Sequence, residues 1–383
     1  MNAEHCVEHK KKHEDGYDEM KKKVLFMCSS MSVGGTEKAF LNLVDTMSPE
    51  EYEVTLLLLR RGGGFLEAVP DWVKVESVDD FERLKHEIMD SPIPIAKDYL
   101  REGKIQRGTG IALTHLWFKL TGNRAPYYRF LLRGTQKKRE HYDVAVAFAG
   151  PTDLISVYIQ EYIEASVKVQ WIHFDIRKFQ FNIKTVRKLY PKFQHVFVVS
   201  EEARQALVQV LPEIEDITRT VPNVISANLC RQQADQGESY TDGFTGTRIV
   251  TLGRLSAEKG QDIIPEVAAE LAARGVDFRW YLVGDGKLRS AIEEKAAKLG
   301  VSDRVVLLGT KTNPYPYLKD ADLYVQTSVH EGFCITLGEA KVFGLPIVST
   351  NCAGAHEQLD GRNNSRIVER EVQTLTEAVI NLL

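Results

Sequence analysis

The segment His330–Lys341 reads His-Glu-Gly-Phe-Cys-Ile-Thr-Leu-Gly-Glu-Ala-Lys. It carries two carboxylates, Glu331 and Glu339, with seven residues between them. The apolar run Leu323–Gln326 just before it predicts a buried strand, and Cys334–Phe343 predicts a helix closed by Gly344 and Pro346. Glu331 is therefore expected in the strand-to-helix turn, and Glu339 one to two turns into the helix. Gly332 allows a tight turn with close backbone approach. The amides of Phe333, Cys334 and Ile335 would be donors at a helix N-terminus, which suits a phosphate. A carboxylate in such a turn only accepts hydrogen bonds, which suits sugar hydroxyls. By itself the segment reads equally well as a solvated turn followed by a helix-surface glutamate.

Upstream, the strand expected at Arg248–Leu252 runs into Gly253-Arg254-Leu255-Ser256-Ala257-Glu258-Lys259-Gly260, followed by a helix from about Gln261 to Ala273. Arg254 and Lys259 lie on one glycine-bounded loop, where both could meet a diphosphate, Arg with its fork and Lys as a point charge. Further strands are expected at Phe278–Val283, ending in Gly284-Asp285-Gly286, at Val305–Leu308 before Gly309-Thr310, and at Pro346–Ser349. Asp320-Ala321-Asp322 precedes its strand, so it reads as a helix end and strand start, and no metal is expected there.

The first half shows the same alternation. Strands are expected at Val24–Cys28, Val54–Leu59, Val73–Val75, Asp143–Phe148, Lys168–His173 and His195–Val199, with helices such as 36–47, 153–164 and 201–210 between them. This is the pattern of doubly wound parallel sheets. Gly34 and Gly35 fall where a first-strand loop meets a ligand, although no G-x-G-x-x-G fingerprint is present. His173 ends a strand on the same edge, and Asp175 follows. Between Ile93 and Glu140 cations far outnumber acids and alternate with apolar and aromatic residues such as Leu113, Leu116 and Trp117. Such a stretch suits an anionic membrane surface, or helices packed on the core with a solvated basic face.

The 383 residues are 43% hydrophobic and 27% charged, long enough for two cores, and the net charge of −4 gives no reason to expect nucleic acid. Five scattered cysteines without a C-x-x-C pair suggest a reducing cytosol. No apolar run approaches a membrane span. Residues 1–20 read as a polar tail, in which His5, His9 and His13 would share one helix face. The expected organisation is that tail, a first domain over 21–222, a polar linker over 223–246 and a second domain over 247–383.

The carboxylate pair resembles the E-x7-E motif of retaining glycosyltransferases with the GT-B fold, glycosyltransferase family 4, and Gly253–Gly260 resembles that family's G-R-x-x-x-x-K-G motif. The resemblance covers roughly residues 20–383. Gly34, Gly35 and Glu37 resemble the family's Gly-Gly stretch, and Gly284-Asp285-Gly286 its G-x-G turn. Val221-Pro222-Asn223-Val224 matches the hinge without its Gly and Asp. Gly354-Ala355-His356-Glu357 is a partial match. The resemblance implies an α/β protein of the GT-B fold, two Rossmann-like doubly wound domains facing across a cleft. It implies a retaining glycosyltransferase using a nucleotide sugar, with UDP the commonest nucleotide in the family, and no cofactor or metal. Glu331, Arg254, Lys259 and His173 would act at the reacting centre. Gly34, Gly35, Gly253, Gly284, Gly286, Thr310, Gly332, Phe333, Cys334, Ile335 and Glu339 would line the donor, with Glu339 at the ribose.

The implied acceptor is a saccharide or polyprenyl-linked saccharide in bacterial surface polysaccharide synthesis, at the cytoplasmic face of the plasma membrane. A C-terminal helix usually crosses back onto the first domain in GT-B relatives. The stop at Leu383 leaves that crossing missing or short, which would weaken closure. An inactive partner subunit, a nucleotide-sugar epimerase and a sugar phosphorylase remain open as alternatives.

Overall fold

The structure is a computed structural model that describes residues 21–78, 81–135, 137–150, 153–174, 176 and 182–383. The tail with His5, His9 and His13, and Asp175, lie outside the described residues. The chain divides between Pro222 and Asn223 into two units.

The first unit holds strands β1 (Lys22–Cys28), β2 (Tyr52–Leu58), β3 (Lys74–Ser77), β4 (His141–Gly150), β5 (Glu164–Ile172), β6 (His195–Val198) and β7 (Thr218–Thr220). Its helices are α1 (Gly35–Asp45), α2 (Phe81–Met89), α3 (Pro92–Arg101), α4 (Ile105–Thr121), α5 (Ala125–Leu131), α6 (Asp153–Tyr162), α7 (Ile183–Leu189) and α8 (Glu201–Val210). The second unit holds β8 (Thr247–Leu252), β9 (Phe278–Val283), β10 (Val305–Gly309), β11 (Leu323–Gln326), β12 (Ile347–Thr350) and β13 (Ser365–Val368). Around them lie α9 (Ala227–Asp235), α10 (Ile264–Ala273), α11 (Arg289–Lys298), α12 (Tyr315–Lys319), α13 (Ile335–Val342), α14 (Ala355–Leu359) and α15 (Val372–Ile380).

Both sheets are parallel, in the orders β3-β2-β1-β4-β5-β6-β7 and β10-β9-β8-β11-β12-β13. Their central strands read as continuous apolar runs because helices cover both faces; β11 is buried along its whole length. In each sheet the chain winds outward from its first strand, then returns to that strand's other side. The return opens a crevice at the carboxyl ends of β1 and β4 in the first sheet, and of β8 and β11 in the second.

Two short edge strands, β7 and β13, escaped the periodicity, since three or four residues carry too little pattern. The segment 223–246, expected as a linker, folds onto the second unit. There α9 buries Cys230 and Ala234, and Asn313 Nδ2 donates to Gln233 O at 2.7 Å. The Asp320/Asp322 pair has the structural role expected of it. Asp320 caps the end of α12, and Asp322 Oδ2 accepts from the Arg248 amide at 2.8 Å.

The basic segment 93–140 forms α3, α4 and α5, knitted to α2 by a buried carboxylate. Glu87 is fully buried. Its Oε1 accepts from Tyr99 OH at 2.9 Å and Arg107 Nε at 2.8 Å, while Arg107 Nη2 donates to Oε2. Arg107 also donates to the carbonyls of Phe130 at 3.0 Å and Leu131 at 2.9 Å. Arg107 therefore leaves the basic face to which its sequence neighbours assign it, because a buried carboxylate needs a fixed cation. Arg129 pairs with Glu161, and Lys138 with Glu76. On the outer side of α4, Leu113, Leu116, Trp117 and Leu120 form an exposed apolar stripe at helical spacing, with Trp117 52% and Leu120 75% exposed. Exposed Lys104 and Lys119 lie on the same element or at its start. Among the described residues no helix is long and apolar enough to cross a membrane.

Glu87→Ala should strand the Arg107 guanidinium inside the unit. The expected loss is roughly 3–5 kcal/mol in urea unfolding. A variant within about 0.5 kcal/mol of wild type would mean that the pair does not hold the insertion.

Candidate functional site

In the second unit the crevice brings the two sequence motifs together. The loop after β8 carries Gly253–Gly260, and the loop after β11 carries Glu331. Backbone bonds stitch them: the amides of Val329 and His330 donate to Glu258 O at 2.9 and 3.1 Å, and Thr327 Oγ1 donates to Lys259 O at 3.1 Å. The glycines permit that approach. Gly260 has φ +64, and a Cβ there would lie 2.3 Å from Thr327 O. Gly284 has φ +150, and a Cβ would lie 2.0 Å from Gly253 O. A Cβ on Gly286 would lie 2.3 Å from Leu255 O. Gly253, Gly284 and Gly286 thus set the loop's path by backbone contact. Arg254 is exposed on that loop, and Thr310 is exposed just past β10, whose Gly309 carbonyl accepts from the Gly284 amide at 2.9 Å.

Lys259 Nζ pairs with Glu331 Oε1 at 2.5 Å. The same oxygen accepts from Gln326 Nε2 at 2.7 Å and Ser328 Oγ at 2.6 Å. Among the described residues no donor is recorded for Oε2. Burial pushes the Lys259 ammonium toward neutrality, but the adjacent Glu331 outweighs it and raises the pKa, so Lys259 stays charged. Gln326 and Ser328 were missed at the sequence level. Their signal was three consecutive polar residues, Gln326, Thr327 and Ser328, ending an apolar strand.

Gly332 and Phe333 lead into α13, whose N-cap is Cys334 in the left-handed region at φ 58. Among the described residues it is the only non-glycine with positive φ. Ile335 opens the helix. Cys334 is buried, with Sγ 3.5 Å from Cys352 Sγ. Glu339 lies in α13 as its spacing requires, but it is fully buried and Oε1 accepts from Tyr315 OH at 2.9 Å. It therefore does not reach the surface of the unit. Tyr315 had no sequence signal.

The first unit, taken by itself, has a sheet edge of its own. Gly34 is the N-cap of α1 and Gly35 its first residue. The Glu37 carboxylate folds back over Gly34, 2.6 Å from where a Cβ would stand. His173 follows β5, its ring 4.3 Å from that of Phe148 and stacked on Trp171 at 5.6 Å.

Residues 246–383 match the family model described as glycosyl transferases group 1. The match lies within the second unit. An uncharacterized glycosyltransferase of Methanocaldococcus jannaschii is 26% identical over 169 residues, 43% of this chain and 42% of that protein. The 2-deoxystreptamine N-acetyl-D-glucosaminyltransferase of Niallia circulans is 29% identical over 177 residues, 45% of this chain and 46% of that protein. The chain spans less than half the length of these relatives. The crystal structure of Anabaena HepE, in complex with UDP and glucose, superposes with a TM-score of 0.65 at 18% identity, covering 94% of this chain and 89% of that one. The likeness shows the GT-B fold.

The glycine contacts of the second unit set its loop path and can be tested. Gly284→Ala combines a forbidden φ with a clash against Gly253 O, and should cost at least about 1–3 kcal/mol. Urea unfolding checks it; an unchanged midpoint would mean that the two turns do not press on one another.

Proposed function

We propose that the protein is a retaining glycosyltransferase of family 4. It moves a sugar from a nucleotide sugar, UDP-linked, to a saccharide or lipid-linked saccharide in bacterial surface polysaccharide synthesis. The observation that carries this reading is the Lys259–Glu331 pair, which joins a two-cation glycine loop to the first carboxylate of E-x7-E at the switch point of a parallel sheet. The complex of HepE with UDP and glucose supports the donor class. The name of the Niallia circulans relative pairs an N-acetyl-D-glucosaminyl group with 2-deoxystreptamine, which supports a saccharide-type acceptor.

In this reading Arg254, Lys259 and the amides of Phe333, Cys334 and Ile335 stabilise the leaving diphosphate as negative charge develops. Glu331 keeps Lys259 aimed through Oε1 and offers Oε2 to the donor's sugar hydroxyls. Glu339 is the partner of the ribose hydroxyls, a role that requires the Tyr315 hydroxyl to give way. His173, Gly34 and Gly35 of the first unit are assigned to the donor sugar on the family resemblance alone. The leaving phosphate takes the acceptor's proton on the same face of the sugar, so neither a protein nucleophile nor a metal is required.

Thermal shift with UDP, GDP and ADP tests the donor. A ligand at 100 times its dissociation constant adds about 2.7 kcal/mol. The expected result is stabilisation by UDP alone, lost in Glu339→Ala. In turnover assays with the donor so identified, Arg254→Ala and Lys259→Ala should each fall roughly 10²–10³-fold. Near-full activity in either variant would remove it from the mechanism, and no shift with any nucleotide would favour an inactive partner subunit.

The acceptor side extends the proposal. The stripe Leu113, Leu116, Trp117 and Leu120, flanked by exposed cations within 93–140, rests on an anionic bilayer at the cytoplasmic face of the plasma membrane. Each Lys or Arg near such a surface contributes about 1 kcal/mol. Flotation with phosphatidylglycerol vesicles should carry the protein upward, and Leu116→Glu with Trp117→Glu should abolish it. Equal recovery of wild type and variant would locate the acceptor in solution.

A further inference from the structure

Cys334 and Cys352 reach one another from separate loops, one after β11 and one after β12. Their sulfurs are 3.5 Å apart, and Cys334 Sγ also lies 3.3 Å from Ala353 O. Both are free thiols. Cys334 is 3% exposed and Cys352 7%. A thiol at the left-handed position of a turn is costly where glycine would be free of strain, by roughly 1–2 kcal/mol. Strain kept at such a place points to a use for the side chain.

From this geometry we infer that Cys334 and Cys352 form a reversible oxidation site, closed to a disulfide by peroxide, that alters the phosphate-facing turn at the start of α13. The coupling to donor binding rests on the function proposed above.

The chemistry balances. The Cys352 thiolate attacks one oxygen of hydrogen peroxide; the O–O bond breaks, and hydroxide leaves with a proton as water. The resulting Cys352 sulfenic acid is attacked by the Cys334 sulfur. The S–O bond breaks, and hydroxide takes the Cys334 proton as a second water. Two thiols are oxidised to one disulfide, and the peroxide oxygens are reduced. A dithiol reductant reverses the link. The pair is polarised in the direction this needs. The hydrogen bond from Cys334 holds the Cys352 thiol below its usual value, while burial pushes Cys334 up.

A disulfide spans about 2.05 Å, so the sulfurs must close by about 1.5 Å. The turn has little slack to absorb that. Gln358 Nε2 donates to Phe333 O and, at 3.2 Å, to Cys334 O. Gly354, at φ +78, packs against the Phe333 backbone, where a Cβ would come within 3.0 Å of its carbonyl oxygen. Movement at Cys334 therefore passes to the backbone of Phe333 and Ile335. Lys259 is an electrostatic neighbour of both thiols, so the change falls inside the ion-paired site.

The experiment treats the full chain with graded hydrogen peroxide, maps peptides without reduction, and follows UDP affinity and amide exchange over residues 332–338. The expected result is a 334–352 linked peptide, UDP affinity lower by about tenfold, the equivalent of one lost charge-assisted hydrogen bond, and recovery with dithiothreitol. Cys352→Ser should bind UDP like reduced wild type and ignore peroxide. Absence of the linked peptide would overturn the site, and a linked peptide with unchanged UDP affinity would overturn its effect on the turn. If the reduced chain bound no nucleotide, the donor assignment would fail by itself. The linked peptide with altered exchange over 332–338 would then still uphold the thiol pair and its effect on the turn, and unaltered exchange would overturn that effect.

Discussion

The Lys259–Glu331 ion pair holds the candidate site in shape. Two charges drawn from water cost several kcal/mol each unless their remaining valences are met. Here Gln326 and Ser328 add two donors to the oxygen that Lys259 occupies, so one carboxylate oxygen is saturated from three directions. All three donors come from the ends of β8 and β11 or the loops that follow them. The pair can form only because the sheet turns back on itself between those strands, and because Gly260 lets its loop pass against Thr327 O. Topology, glycine and charge are therefore one constraint: without close backbone approach the ion pair would be too long, and without the ion pair Arg254 and Lys259 would crowd one loop with no carboxylate beside them.

The first unit meets a similar problem at Glu87 and resolves it for another purpose. Its carboxylate is sealed by Tyr99, Arg107 and Arg83 and has no route to a ligand. It fastens α2, α3, α4 and α5, using the Arg107 contacts to the Phe130 and Leu131 carbonyls to anchor the last turn of α5. The outcome is a rigid platform whose apolar residues divide into an inward set, such as Ile111 and Leu131, and the outward stripe on α4. Arg107 ties the helix that carries the stripe to the buried Glu87 carboxylate.

Most of the parallel architecture was legible because buried central strands are long apolar runs bounded by glycine or polar loops. Leu323–Gln326 and Phe278–Val283 were placed to the residue, since burial on both faces leaves no ambiguity of period. The linker and the insertion were less legible. Composition alone marks 223–246 as polar, yet Cys230 and Ala234 suffice to dock α9. Likewise, a count of cations cannot tell that Arg107 turns inward, because its partner Glu87 lies twenty residues away in a different helix. The thiol contact was invisible for the same reason: Cys334 and Cys352 meet only when β11 and β12 lie side by side.

The two glutamates of the E-x7-E segment show what spacing does and does not determine. Their separation places one in the turn and the other a turn into α13, as read. Their environments then diverge. Glu331 sits at the open end of β11 with its charge matched by an ammonium. Glu339 is sealed beneath Tyr315, whose phenol burial and the nearby carboxylate drive far above its ordinary pKa, so that it donates and does not ionise. Glu331 can take a ligand on Oε2 while Oε1 keeps its three donors. A carboxylate enclosed with a neutral donor must first be opened, and the work of opening it is subtracted from whatever the ligand gains. The same residue type, with seven residues between its two copies, thus offers an immediate contact at one end of the turn and a conditional one at the other.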